Sequence, residues 1–248
     1  MTRQEIAFTA ERLRKLLSGV NRNAVLIGGQ ALAFWADYYR IQLDDTLPVV
    51  SKDTDFLGDR ALVERISEIS GGHATYPPKR AITALVGQVT IELGSDQFLN
   101  VDVLHKVVGI KSDSVKRRAE EVVFDGLKFM IMHPIDVLQS RISNLATLKD
   151  KQNEMGVLQA KLAVKVAYRY IAAIAKDNEK LALKAIEKVV DIAKGAEGRC
   201  AASFGVDMFS AIPVRSIRSE EFHRIRWPRL CDEMRLPRKK TKPGKLKP

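Results

Sequence analysis

The chain has 248 residues, is 46% hydrophobic, and carries 41 Lys and Arg against 30 Asp and Glu, a net charge of +11. That length allows one large domain or two modest ones, and that apolar content excludes a wholly disordered chain. Seven basic and no acidic residues between Arg235 and Pro248 leave +4 for the remainder, so most of the excess sits in a tail and the body is only mildly basic.

No apolar run approaches the roughly 18 residues of a membrane span. The most apolar stretch, LAVKVAYRYIAAIA, is broken by Lys165 and Arg169. The first residues carry a charge on almost every turn, unlike a signal peptide. Cys200 and Cys231 match no zinc spacing and read as reduced thiols. The expectation is a cytoplasmic protein with no membrane association.

Residues 2–19 have helical spacing at Ile6, Leu13, Leu16 and Leu17, with Thr2 and Glu5 as a capping box. AVLIGG predicts a short buried strand ending in a glycine pair. QALAFWADYY resumes helical spacing, so Gly28–Gly29 is a strand-to-helix turn. DDTLPVVS predicts a loop, in which Asp44–Asp45 reads as a solvated turn, and a strand follows over 52–57. DRALVERISEIS predicts a helix capped by Asp59.

A β-rich stretch comes next. VTIEL and FLNVDVLHKV predict strands joined at Gly94–Ser95. EVVFDGLKFM predicts a hairpin about Asp125–Gly126, a favoured type I′ pair. Beyond Pro134 the pattern is helical: PIDVLQSRISNLATLKD with Pro in its first turn, then two long Ala-rich helices. The expected organisation is an α/β domain over 1–132, a helical domain over 133–234 and a disordered basic tail over 235–248.

Three aspartates stand out. Asp53 and Asp55 share one face if their segment is a strand, and Asp102 lies mid-strand in NVDVLH. A carboxylate there is costly unless it is paired or coordinated, and a shared Mg²⁺ would offset the cost through oxygen ligands. Ahead of them, the glycine turn allows close approach of a phosphate, and the following helix offers free N–H groups.

A glycine pair, a D-x-D pair and a later strand aspartate, here LIGGQAL, KDTDFL and NVDVL, resemble the DNA polymerase β-like nucleotidyltransferase superfamily. The closer resemblance, over residues 20–160, is to nucleotidyltransferase toxins of the abortive-infection type, in which a helix with a basic residue follows the sheet. Here PIDVLQSRISNLATLKD is similar to that helix. The resemblance implies an α+β fold: a nucleotidyltransferase-type mixed sheet with flanking helices, then a helical domain. It implies that Asp53, Asp55 and Asp102 ligate two Mg²⁺ ions, with Asp102 also helping to deprotonate the acceptor hydroxyl. Gly28 and Gly29 would hold the NTP phosphates, and Lys52 and Arg141 would neutralise their charge.

The implied reaction moves a nucleoside monophosphate from an NTP to a hydroxyl, with RNA such as tRNA as an acceptor and an antitoxin protein as a partner. The chain departs from the pattern at Gln30, where other branches have Ser, and at Arg141, where Lys is usual. The interval from Gly29 to Asp53 is long for these toxins, implying an inserted loop about Leu43–Val50. A catalytically inactive nucleotide- or RNA-binding module is the alternative. A haloacid-dehalogenase-like phosphatase is disfavoured, because Leu57 stands where those enzymes usually have Thr.

Plainer roles fall to other residues. His105, on the opposite face from Asp102, is expected to pack, and His133 to start a helix. Trp35, Tyr38 and Tyr39 read as core and rim. Arg141 fits a phosphate contact or a solvated helix face, while Lys149 and Lys151 read as a solvated face. The unopposed tail charges fit either plain solvation or salt-dependent contact with nucleic-acid phosphates.

Overall fold

The β-rich half of the sequence builds one mixed sheet, seen in a computed structural model that describes residues 3–20, 23–42 and 53–235. Its eight strands are β1 (Gln4–Glu5), β2 (Val25–Ile27), β3 (Thr54–Leu57), β4 (His73–Thr75), β5 (Leu85–Gly94), β6 (Gln97–Leu104), β7 (Glu120–Phe124) and β8 (Leu127–Ile131). The spatial order is β4-β5-β6-β3-β2-β8-β7, with β1 also on β6. The fold is α+β, since β3–β6 and β2–β8 are parallel while β2–β3, β5–β6 and β7–β8 are antiparallel.

Local chemistry sets the turns. Ser95 and Asp96 both take positive φ, 52° and 59°, in the β5–β6 turn. Asp125 and Gly126, at 50° and 77°, form the predicted β7–β8 hairpin, matching the right-handed twist of the strands. β6 alternates: Leu99, Val101 and Val103 are buried, while Asn100 and Asp102 face the other side. That period-two pattern fixes which face carries polar groups.

Helix α1 (Ala10–Gly19) is shorter than the predicted helix over 2–19. Thr9 caps it by accepting from the Arg12 N–H, whereas Glu5 lies in β1. Edge pairing to β6 satisfies the backbone of residues 4–6, and that outcompetes extension of the helix. Thr2, the other half of the expected capping box, lies outside the described residues. So do Lys52, the segment Leu43–Val50 with Asp44–Asp45, and residues 236–248.

Helices α2 (Gly28–Tyr38) and α3 (Arg60–Ser70) follow β2 and β3. Asp59 caps α3 through the Leu62 N–H, 3.1 Å away, and Gly71 ends it at φ 68°, as a left-handed C-terminal position prefers. Two short elements lacked a periodic signal: β4 and α4 (Ser112–Arg118). Strands cease at Ile131, and helices α5 (Pro134–Thr147), α6 (Glu154–Asp177), α7 (Glu179–Lys194), α8 (Ala196–Ser203) and α9 (Trp227–Arg235) complete the described chain.

One hydrophobic cluster spans both halves, from Leu26, Phe56 and Val101 in the sheet to Leu138, Ile171 and Val189 in the helices. Trp35 is buried within it and donates from Nε1 to the Met132 carbonyl at 2.8 Å. Tyr38 is exposed and Tyr39 half-buried, so the three aromatic residues are core and rim. His105 is exposed, not packed as expected. β6 ends one residue earlier, and the His105 backbone makes the contacts: its N–H donates to Ala84 and its carbonyl accepts from Ser112.

His133 begins α5 as predicted. Its Nδ1 accepts from the Ile135 N–H at 3.1 Å, and Nε2 meets the Tyr170 hydroxyl at 2.9 Å. Burial, with the nearby Arg118 charge, pushes its pKa down from 6.5 to about 4. The unfolded chain therefore binds a proton first as pH falls, and the His133 contribution is full above pH 6.5 and lost between 6.5 and 4. The shift corresponds to about 3 kcal/mol. Asp136, raised to about 6 mainly by burial, works in the opposite direction. The stability difference between the wild type and His133→Asn, measured by denaturant melts from pH 4 to 8, is expected to shrink as pH falls. A pH-independent difference would refute it.

Candidate active site

Register brings the sequence-distant aspartates together. Asp55 in β3 stands directly opposite Asp102 in β6 and also opposite Ile27 in β2. Asp53 immediately precedes β3, and its charge acts on both Asp55 and Asp102. Asp102 accepts from Gln88 Nε2 at 2.8 Å across the β5–β6 ladder. Asn100, two residues back on the same face, accepts from Thr90 Oγ1 at 3.0 Å and donates to Glu5 Oε1 at 2.6 Å. Gln88, Thr90 and Asn100 were not singled out from sequence, and Glu5 was read only as part of a helix cap, because their role depends on pairing partners.

Gly28, the first residue of α2 directly after β2, has φ +69°, a conformation L side chains rarely adopt. A Cβ built there would lie 1.8 Å from Asp55 Oδ2. The bare glycine Cα thus forms the wall against which the Asp55 carboxylate rests. Gly29 is already a buried residue of α2 and takes no positive φ, so the two glycines of the motif have different jobs.

Arg141 is buried, at 9% exposure. The α5 face that carries it is therefore not the solvated face weighed above. Its Nη1 donates to Gln159 Oε1 on α6 at 3.2 Å, its Nε has no protein partner, and its charge acts on Asp55. Lys151, in the 3-10 turn Lys149–Lys151 after α5, also acts on Asp55, although its side chain stays exposed. Gly156 lets this turn sit close to α6, since a Cβ there would fall 1.8 Å from the Lys151 carbonyl.

These surroundings decide the charge states. Burial pushes the Asp55 carboxyl up to about 7, with Arg141 opposing and Asp102 and Asp53 adding to the rise. Burial also raises Asp102, against the bond from Gln88. Desolvation outweighs the two cations, so Asp55 is left demanding positive charge. Among the described residues no three carboxylate, imidazole or thiol groups are gathered into a ready metal-binding arrangement. An apolar cavity of about 430 Å³ lies under α1 and α2, lined by Leu13, Leu17, Phe34 and Phe129, and none of the three aspartates lines it.

No family model matches the chain, and no curated protein matches it. Among solved structures, JHP933 from Helicobacter pylori is 15% identical, with a TM-score of 0.40, over 82% of this chain and 90% of that one. A second, "Crystal structure of putative nucleotidyltransferase from H. pylori", is 16% identical, with a TM-score of 0.42, over 82% of this chain and 92% of that one. No helix among the described residues is long and apolar enough to cross a membrane.

Proposed function

We propose that the protein is a Mg²⁺-dependent nucleotidyltransferase that moves a nucleoside monophosphate from an NTP to a hydroxyl acceptor and releases pyrophosphate. The observation that carries this reading is Asp55 opposite Asp102, walled by Gly28 and faced by a buried arginine with an unfilled Nε. The donor set is all carboxylate oxygen, which suits Mg²⁺. Mg²⁺ at nucleotide sites commonly takes one or two carboxylates and completes its shell with phosphate oxygens and water, so a preformed protein cage is not required.

Asp53, Asp55 and Asp102 would hold the Mg²⁺ ions, which supply charge neutralisation for the phosphates and the attacking oxygen. Gly28 leaves room for the Asp55 carboxylate itself, and Gly28 and Gly29 at the α2 N-terminus would present backbone N–H groups to the NTP phosphates. Arg141 directs its free Nε–H to a phosphate oxygen, a charge-assisted bond, and Lys151 adds a solvent-side cation. Lys52, outside the described residues, keeps its expected place as a phosphate contact. Asp102 takes the acceptor proton while the acceptor oxygen bonds to the α-phosphorus. The bond from that phosphorus to the bridging oxygen breaks, and pyrophosphate leaves with the electron pair.

RNA is the acceptor class favoured by the basic excess, and the toxin role follows from the family resemblance. The test incubates the protein with each α-labelled NTP, Mg²⁺ and total RNA. Label transfer by the wild type, lowered about 100-fold in Asp102→Asn, is expected. Absence of transfer from the wild type would end the enzyme reading. Metal-dependent NTP binding without turnover would support the binding-module alternative.

A further inference from the structure

The site has a fourth carboxylate, on a strand that helical spacing disguises in the sequence. β1 pairs in parallel with β6, Glu5 opposite Phe98. β3 pairs in parallel with β6 farther along, from Thr54 opposite Val101. β5 occupies the other edge of β6 over both stretches. β1 and β3 therefore follow one another in a single lane, which sets Glu5 beside Asp53. Backbone bonds from Gln4 to Asp96 (2.7 Å) and from Ile6 to Phe98 (3.0 Å) hold β1 there. Arg3 adds an ion pair to Glu92 and lies 5.0 Å from the Phe98 ring centre.

Glu5 is aimed by its neighbours. Asn100 donates to Oε1, and the charges of Asp53 and Asp102 both act on the carboxylate. Neighbouring ionised carboxylates repel unless something positive is shared between them. Independently, buried Arg141, whose charge acts on Asp55, has an unpartnered Nε that marks a seat for an anion at the Asp55 end of the site. Acidic groups and an unfilled cationic donor in one site suit a metal-bound phosphate.

We infer that Glu5, together with Asp53, is a ligand of a divalent cation of the magnesium and manganese class, which makes the N-terminal strand part of the reaction centre. The inference rests on the nucleotidyltransferase reading for the presence of a cation. It adds a ligand that the D-x-D pattern does not contain. It also couples cation binding to the docking of β1, because whatever a cation gains from Glu5 it returns by holding the strand.

The experiment measures Mn²⁺ binding to the nucleotide-free full chain by electron paramagnetic resonance, for the wild type, Glu5→Gln and Glu5→Asp. Hydrogen exchange at the Gln4 and Ile6 amides is followed in the same samples. Glu5→Gln is expected to weaken Mn²⁺ by about 10–100-fold, and Glu5→Asp to recover part of that loss. Mn²⁺ should slow exchange at both amides in the wild type but not in Glu5→Gln. Equal Mn²⁺ affinity in the wild type and Glu5→Gln, or wild-type exchange indifferent to Mn²⁺, would overturn the Glu5 role and leave the enzyme reading standing. A wild type that binds no Mn²⁺ even with an NTP present would overturn both.

Discussion

Asp55→Asn is expected to abolish nucleotidyl transfer while making the cation-free protein more stable. In the proposed reaction several kcal/mol of transition-state stabilisation would depend on the metal this carboxylate holds, so turnover should fall by roughly 10³-fold or more. The stability effect has the opposite sign because the folded pKa of Asp55 is raised, from 3.8 to about 7. A raised carboxyl prefers the proton when folded. Its cost is absent below pH 3.8, grows as pH rises, and is complete above 7. The shift corresponds to roughly 4 kcal/mol. Chemical denaturation of the wild type and Asp55→Asn should therefore converge near pH 4 and separate by pH 8, with the variant more stable. Mg²⁺ should narrow the gap by stabilising only the wild type. A variant less stable than the wild type at pH 8 would contradict this account.

Gly28→Ala should also be damaging, though less so, for a geometric reason. The positive φ alone costs an alanine about 1–2 kcal/mol. The new Cβ would also stand 2.7 Å from Asp55 Cγ and 2.9 Å from its Cβ, so moving the carboxylate oxygen is not enough and the whole side chain must shift. A displacement near 1 Å at a catalytic group costs on the order of 10²-fold. Steady-state kinetics should show that loss in kcat/KM. In the Asp55→Gly background the collision has no partner, and the stability penalty of Gly28→Ala should shrink to the φ cost, a non-additivity that a double-mutant cycle measures. Full additivity would mean that Gly28 is needed only for its backbone conformation.

The hairpin at Asp125–Gly126, the caps Asp59 and His133, and the strand-to-helix turn at Gly28 were legible in the sequence. Each is decided within a few residues, by side chains that prefer one backbone conformation or bond to a neighbouring N–H. The order of glycine pair, D-x-D and later strand aspartate was legible for the same reason, because it is a statement about successive local elements. Residues 2–19 were misjudged where local evidence was weakest. Ile6 fits a helix, but the first residues gain more from the open edge of β6, and no local pattern reveals that edge. His105 was misplaced because strand parity says nothing about where a strand stops.

Sequence by itself determined the alternation of buried and polar faces, the turns, the caps at Asp59 and His133 and the three aspartates that could act together. Tertiary structure alone decided that Asp55 stands opposite Asp102, that the Gly28 Cα touches the Asp55 carboxylate, that Arg141 is buried and that Glu5 lies on a strand paired to β6. Those outcomes depend on strand register and on the packing of α5 and α6 over the sheet. Register is settled by burying one whole face of every strand at once, a global condition that no short stretch of sequence contains.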